Sequence, residues 1–416
     1  MKTKIHAIVF SLAAALSAQA SELPPIPLAL IEATSGPFAN AGDAVQRNLQ
    51  WSIEKINAGG GVKLPDGKRL LQLKVFDNKG QVDESLQQLR RALDQKIPFI
   101  LQGNSSAVAL ALSDALNKHN ARHEQRALFL NYSAVDPALT EEQCSFWHFR
   151  FDAHAGMRMH ALTEVIRQEK RVQKVYLIGQ DYSFGRQVAT AARAQLAAKR
   201  PDIQIVGEEL HPIGKIKDFA PYIAKIRESG ADSVITGNWG NDLSLLVKAA
   251  REAGLRLRFF TFYGNGLGAP AALGEAGVGQ VRAVAEWHPN VGGKESDAFY
   301  QAFRQRYPQP KDDYLHLRMQ IMLEMLAAAI ERAGSVDAKA VALALENASY
   351  KNAFHQAGMR KQDHQLLQPL YVSVMQKQAD GAIRFDNEGS GYGFKTELYL
   401  DSGQTALPSK CQMQRP

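Results

Sequence analysis

The chain has 416 residues and only two cysteines, with a formal net charge of +7 from 49 Lys and Arg against 42 Asp and Glu. That length exceeds what one ordinary hydrophobic core organises, so it implies two lobes of about 150 to 200 residues. The basic residues, among them Lys68, Arg69, Arg90, Arg91, Lys170 and Arg171, are scattered without a block of five or six or interleaved aromatics, which argues against a nucleic-acid partner.

Lys2 and Lys4 precede an apolar run from Ile5 to Leu16, and Ala18-Gln19-Ala20 is followed by Ser21. This is the pattern of a secretory signal peptide over residues 1–20, so the mature chain is expected to begin near Ser21, outside the cytoplasm. No apolar stretch reaches the roughly 18 residues a membrane-spanning helix needs. In an oxidising compartment the pair Cys144 and Cys411 suggests one disulfide, with two free thiols as the alternative.

Strand-like runs then alternate with helical patterns. Leu28 to Ile31, Leu71 to Phe76, Phe99 to Leu101 and Leu128 to Leu130 form a first series. A helix from Asp43 to Asn57 sets Val45, Leu49, Ile53 and Ile56 on one face and stops at Gly59-Gly60-Gly61. The aromatic-rich stretch Cys144 to Asp152 follows neither period and reads as a crossover. Val175 to Ile178, Ile203 to Val206, Ser233 to Thr236 and Phe259 to Phe262 form a second series, with helices starting near Gly185, Asp218 and Leu243. A second crossing is expected near Glu286-Trp287-His288-Pro289. The helix Tyr314 to Ala333 follows, its Met319, Met322 and Met325 read as core filling. Leu370 to Met375 reads as one more strand, entered by a third crossing.

Such βα alternation in two series predicts an α/β fold of two lobes, each a mostly parallel sheet covered by helices. Lobe one takes residues 21–148 and 288–368, and lobe two takes 149–287 and 369–416. Between the strand ending at Leu101 and the helix carrying Val108, Leu112 and Leu116 lies Gln102-Gly103-Asn104-Ser105-Ser106. Ser105 or Ser106 can cap that helix, and its free N–H groups suit an anion such as a carboxylate.

Several segments resemble, in order and spacing, the Leu/Ile/Val-binding family of periplasmic solute receptors. They are Thr34-Ser35-Gly36-Pro37, Ala41-Gly42-Asp43, Ile56 to Gly61, Asn131 to Thr140, Asp181-Tyr182-Ser183-Phe184-Gly185 and Lys248 to Leu255. The similarity covers most of residues 25 to 290. It implies a type I fold with three crossings, closing over a small ligand in the periplasm and delivering it to an ABC permease in the membrane, with no catalysis, cofactor or metal.

The resemblance places the ligand carboxylate on Ser105 and Ser106 and on the segment Ser133-Ala134-Val135. It also implies that Phe184 covers the ligand from lobe two, with Trp239 across the cleft. Two departures stand out. Tyr263 occupies the place where amino-acid-binding members carry an acidic residue for the ligand's ammonium, and Ala41 replaces an aromatic of the first loop. A buried ammonium needs a carboxylate, so either Asp181 or Asp242 substitutes or the ligand has no amine. The lining of Phe184, Trp239 and Tyr263, with Tyr132 nearby, suits an aromatic or other hydrophobic acid.

Two rival functions share these residues. Gly103-Asn104-Ser105-Ser106-Ala107 resembles a nucleophile elbow with Ala for its last Gly, which would make Ser105 the nucleophile of a secreted serine hydrolase. A ligand-sensing receptor subunit would share fold and pocket. Other chemistry is thin. Gly264 to Gly268 lacks the final spacing of a dinucleotide fingerprint, and His119 and His123 stand at metal-ligand spacing without a further ligand.

Overall fold

The computed structural model describes residues 23–416, an α/β protein built on two large sheets. The signal segment expected over residues 1–20 lies outside the described residues. Among those described, no helix is long and apolar enough to cross a membrane.

Strands covered on both faces bury both rows of side chains and therefore read as unbroken apolar runs. Leu28 to Ile31 and Leu128 to Leu130 are of this kind, each residue at most 1% exposed. The first sheet runs in the order Ser349–Lys351, Gln356–Arg360, Gln365–Leu367, His148–Arg150, Leu128–Asn131, Phe99–Gln102, Ile26–Glu32, Leu71–Asp77. Its body from His148–Arg150 to Leu71–Asp77 is parallel, with Phe99 in register between Leu28 and Leu128. The second sheet runs Tyr392–Leu400, Leu370–Lys377, Val281–Ala285, Arg258–Thr261, Ser233–Thr236, Lys174–Gln180, Gln204–His211. It is parallel except where Leu370–Lys377 meets its two neighbours.

The first long helix spans Ala39–Ala58, four residues more than its apolar period predicts at the start, and buries Val45, Leu49, Trp51 and Ile53. Gly42 permits the extra turn, because a Cβ there would lie 1.8 Å from the carbonyl oxygen of Ala33. The helix ends where Gly60 and Gly61 take φ of +96° and +76°. Met319, Met322 and Met325 of the helix Leu317–Ala333 are packed in the core of lobe one.

The chain leaves the first sheet after His148–Arg150, returns after Val281–Ala285 and leaves again after Gln365–Leu367. The aromatic-rich stretch 144–152 thus contributes a short strand before it crosses. Gln365 Nε2 donates to the carbonyl of Asp152 at 2.8 Å and Gln368 Nε2 to that of Phe151 at 3.0 Å, tying the first and third crossings together. The tail corrects the division made from sequence. Strands Leu370–Lys377 and Tyr392–Leu400 belong to the second sheet, but the chain beyond the short helix Ser402–Thr405 returns to lobe one. Arg360 donates to the carbonyl of Leu407 at 2.7 Å, Cys411 is disulfide-bonded to Cys144, and Arg415 pairs with Glu346 at 2.5 Å.

Candidate ligand-binding site

A cleft of about 620 Å³ separates the lobes. It opens at the carboxyl ends of parallel strands, the usual place for a ligand in such sheets. Ser105, Ser106, Ser133, Ala134 and Val135 line it from lobe one, and Phe184, Trp239 and Tyr263 from lobe two.

The loop after strand Phe99–Gln102 is shaped by a close approach. A Cβ on Gly103 would lie 2.4 Å from the ring of Tyr132, so only glycine passes there. Ser105 then stands at the N-cap of helix Ser106–Asn120 with φ +78° and makes no side-chain capping bond. The capping expected from sequence is therefore absent. Ser106 Oγ instead accepts from the backbone N–H of Asp136 at 3.2 Å, joining the two loops. The first-turn N–H groups of the helix have no intrahelical acceptor and point their dipole at the cleft.

In the second loop two of the backbone N–H groups are already engaged. Asn131 Oδ1 accepts from Ser133 N at 3.0 Å and from Ala134 N at 2.7 Å. What this turn offers is the Ser133 hydroxyl, held by a donor that sequence reasoning missed. Arg318 Nη2 donates to Ser133 Oγ at 3.1 Å, and Arg318 lines the cleft together with His316 and Tyr314.

Arg318 belongs to a buried four-charge network at the first two crossings. Its Nη1 faces both oxygens of Glu286 at 3.1 Å, its Nε lies 3.2 Å from Asp152 Oδ2, and Arg158 pairs with Asp152 at 2.5 Å. Burial alone would raise the Glu286 carboxyl, but the Arg318 guanidinium outweighs it and holds it well below the usual carboxylate range. Burial and the neighbouring Arg318 keep His316 neutral, its pKa well below 6.5. The acids are spent on the two arginines. Among the described residues, none that lines the cleft is acidic.

On lobe two, Trp239 Nε1 donates to the Tyr182 hydroxyl at 2.9 Å. Phe184 is 2% exposed and sits in the lobe-two core while also lining the cleft. Tyr263 lies under the Arg158 guanidinium, 5.3 Å from its ring centre, and burial pushes its phenol up to about 12. The two carboxylates considered as ammonium partners are engaged elsewhere. Asp181 is exposed and paired with Arg186 at 2.5 Å, and Asp242 accepts from Gln180 at 2.8 Å and from Gly214 N at 2.9 Å. Tyr132 is buried behind Gly103 and donates to Glu32.

The lobes touch across the mouth. Phe38 and Trp239 have ring centroids 4.6 Å apart, and Asn40 donates to Asn241 at 3.3 Å. Ala41 lines the cleft, and Phe38, three residues earlier, places a ring at its mouth. Among the described residues no histidine is hydrogen-bonded to Ser105 Oγ, and the cleft's own His316 is bonded to Arg318. His119 and His123 stack at 4.4 Å, and the described residues contain no group of three metal-ligating side chains.

Two α/β lobes joined by three crossings and enclosing a cleft define a solute-binding protein. Residues 25–382 match the family model described as periplasmic binding protein. The chain belongs to that family, in its branched-chain amino acid transporter branch. It is 32% identical over 430 residues to Leu/Ile/Val-binding protein homolog 4 of Brucella melitensis biotype 1, covering 100% of this chain and 98% of the relative. The closed conformation of a leucine-, isoleucine-, valine-, threonine-, and alanine-binding protein from Brucella ovis superposes with a TM-score of 0.82 at 31% identity, covering 94% and 100% of the two chains. A solute-binding protein from R. palustris in complex with 4-hydroxybenzoate shares the fold, with a TM-score of 0.75 at 19% identity over 91% and 97% of the two chains. The family implies the periplasm and a permease partner.

Proposed function

We propose that this protein is the receptor of a branched-chain amino acid-type importer for an amine-free carboxylate, an aromatic or other hydrophobic acid. The observation that carries this reading is that Arg318 lines the cleft while none of its described lining residues is acidic. A ligand ammonium would be buried facing a guanidinium and phenols, leaving it unpaired at a cost of several kcal/mol. In this reading Ser105, Ser106 and the Ser133 to Val135 turn hold the carboxylate with the helix N-terminus. Phe184, Trp239 and Tyr263 cover its apolar part. Closure is the signal, since a permease that prefers the closed surface shifts with ligand occupancy. The R. palustris fold neighbours in complex with 4-hydroxybenzoate and benzoate lend the reading support.

The second reading is an amino-acid receptor, favoured by the name of the Brucella ovis relative. Calorimetry separates the two. Benzoate, 4-hydroxybenzoate or 3-phenylpropionate is expected to bind at least about tenfold tighter than leucine, about 1.4 kcal/mol. Leucine, isoleucine or valine binding tighter than every such acid would overturn the proposal.

A further inference from the structure

Arg318 carries more donors than its protein partners use. Its Nε donates to the carbonyl of Tyr132 at 2.7 Å, and Nη1 faces Glu286 and, at 2.7 Å, His316 Nδ1. Nη2 donates one hydrogen to Ser133 Oγ at 3.1 Å. A guanidinium has five N–H groups and no acceptor. The second Nη2 hydrogen therefore has no protein acceptor among the described residues, although the side chain is only 2% exposed and lines the cleft.

His316 repeats the pattern. Arg318 can only donate, so His316 Nδ1 is the acceptor of their bond and the ring proton sits on Nε2. That Nε2–H lies in a side chain lining the cleft and has no protein partner among the described residues. Two groups with only hydrogens left to give thus line the cleft, Arg318 bonded to Ser133, the hydroxyl of the turn assigned above to the ligand carboxylate, and His316 bonded to Arg318.

Resting on that assignment, we infer that Arg318 and His316 select an acceptor oxygen on the carbon next to the ligand carboxylate, so that the ligand class is a 2-oxo acid with a hydrophobic side chain. The position follows from reach, because Nη2 is hydrogen-bonded to the Ser133 hydroxyl and serves an atom adjacent to the group that hydroxyl holds. The chemistry follows from the donors. A 2-ammonium group is itself donor-only and positive, and a plain acid leaves the Nη2 hydrogen unpaired. A 2-oxo group accepts both hydrogens. Phe184, Trp239 and Tyr263 are then left for an aryl or branched side chain.

Calorimetry on the unaltered protein with matched acids tests this. Phenylpyruvate is expected to bind at least tenfold tighter than 3-phenylpropionate, or 4-methyl-2-oxopentanoate at least tenfold tighter than 4-methylpentanoate. Oxo and plain acids binding equally in both series would overturn the inference while leaving the carboxylate reading intact. If only the matching amino acids bind, the amine-free reading falls as well. Arg318→Lys keeps a charge for Glu286 and Asp152 but loses the fork, and the oxo-to-plain affinity ratio is expected to drop toward one. The same ratio measured in His316→Gln gives a second readout should Arg318→Lys not fold. A ratio unchanged in a folded variant of Arg318 would count against the assignment.

Discussion

Phe38 of lobe one and Trp239 of lobe two lie ring to ring, with centroids 4.6 Å apart and planes tilted by 32°. The contact exists only while the lobes are together, so it adds its free energy to the closed state alone. Room for it is made by glycines on the lobe-two side, since a Cβ on Gly214 would lie 2.8 Å from the Phe38 ring.

The first prediction concerns this pair. Aromatic pairs of such geometry contribute about 0.5 to 1.5 kcal/mol beyond the area they bury. Phe38→Ala is therefore expected to raise the Kd of any ligand bound by closure about tenfold, equivalent to about 1.4 kcal/mol. Calorimetry measures it directly. Affinity within twofold of the unaltered protein would show that the pair does not bias closure.

Glu32 supplies a pH prediction. It is buried behind the Gly103 loop, accepting from Asn104 N at 3.1 Å, Ala33 N at 3.0 Å and the Tyr132 hydroxyl. Burial outweighs these donors and pushes its carboxyl up to about 7, from 4.5. The folded state therefore binds more protons than the unfolded state between those two values, and stability falls as pH rises through that window. Fully developed, the effect is on the order of 3 kcal/mol. Glu388 is raised to about 7 in the same way, while buried His288, lowered from 6.5 to about 3, pulls in the opposite direction between those two values and so overlaps the lower part of the window. The comparison of Glu32→Gln with the unaltered chain isolates Glu32. Urea unfolding at pH 5, 6 and 7.5 should show the variant losing less stability over that range, and identical slopes would exclude Glu32 as the source.

The strands of both lobes were legible because parallel, doubly covered strands leave apolar runs, and Leu28 to Ile31 or Val175 to Ile178 have no competing period. The cleft loops were legible as polar breaks after such runs. Short strands such as Ser349–Lys351 and Gln365–Leu367 carry too few residues for a period to register. The engagement of the Ser133 and Ala134 backbone N–H groups could not be read, since Asn131 satisfies them through a local turn invisible to residue spacing. Arg318 was missed for want of partners nearby in sequence. Its clue was there, however: a lone arginine between Leu317 and Met319 in an apolar helix must be paired if buried. Its partners Asp152 and Glu286 come from two separate crossings, 166 and 32 residues away. Contact across the mouth was likewise unreadable, because Phe38 and Trp239 belong to different lobes.

Gly266 gives the last prediction, and it separates closure from folding. Gly266 lies on lobe two, after strand Arg258–Thr261, and faces Tyr314 just before the lobe-one helix Leu317–Ala333. A Cβ on Gly266 would lie 1.9 Å from the Tyr314 ring. That ring cannot yield easily, because it is 9% exposed and its centroid stands 4.2 Å from that of His316. The Gly266 backbone is outside the positive-φ region, so alanine is compatible with its local conformation. The clash thus belongs to the contact between lobes and disappears when they part. Gly266 is buried where the lobes meet, and its nearest neighbour is Tyr314 of the other lobe, so Gly266→Ala is expected to keep the melting temperature of the ligand-free, open protein within about 2 °C. Ligand affinity should fall by about a hundredfold or more, the cost of a population shift of about 2.7 kcal/mol. Small-angle scattering should show no ligand-induced compaction in the variant. A variant that compacts and binds like the unaltered protein would mean that Tyr314 moves aside and that closure does not depend on this glycine.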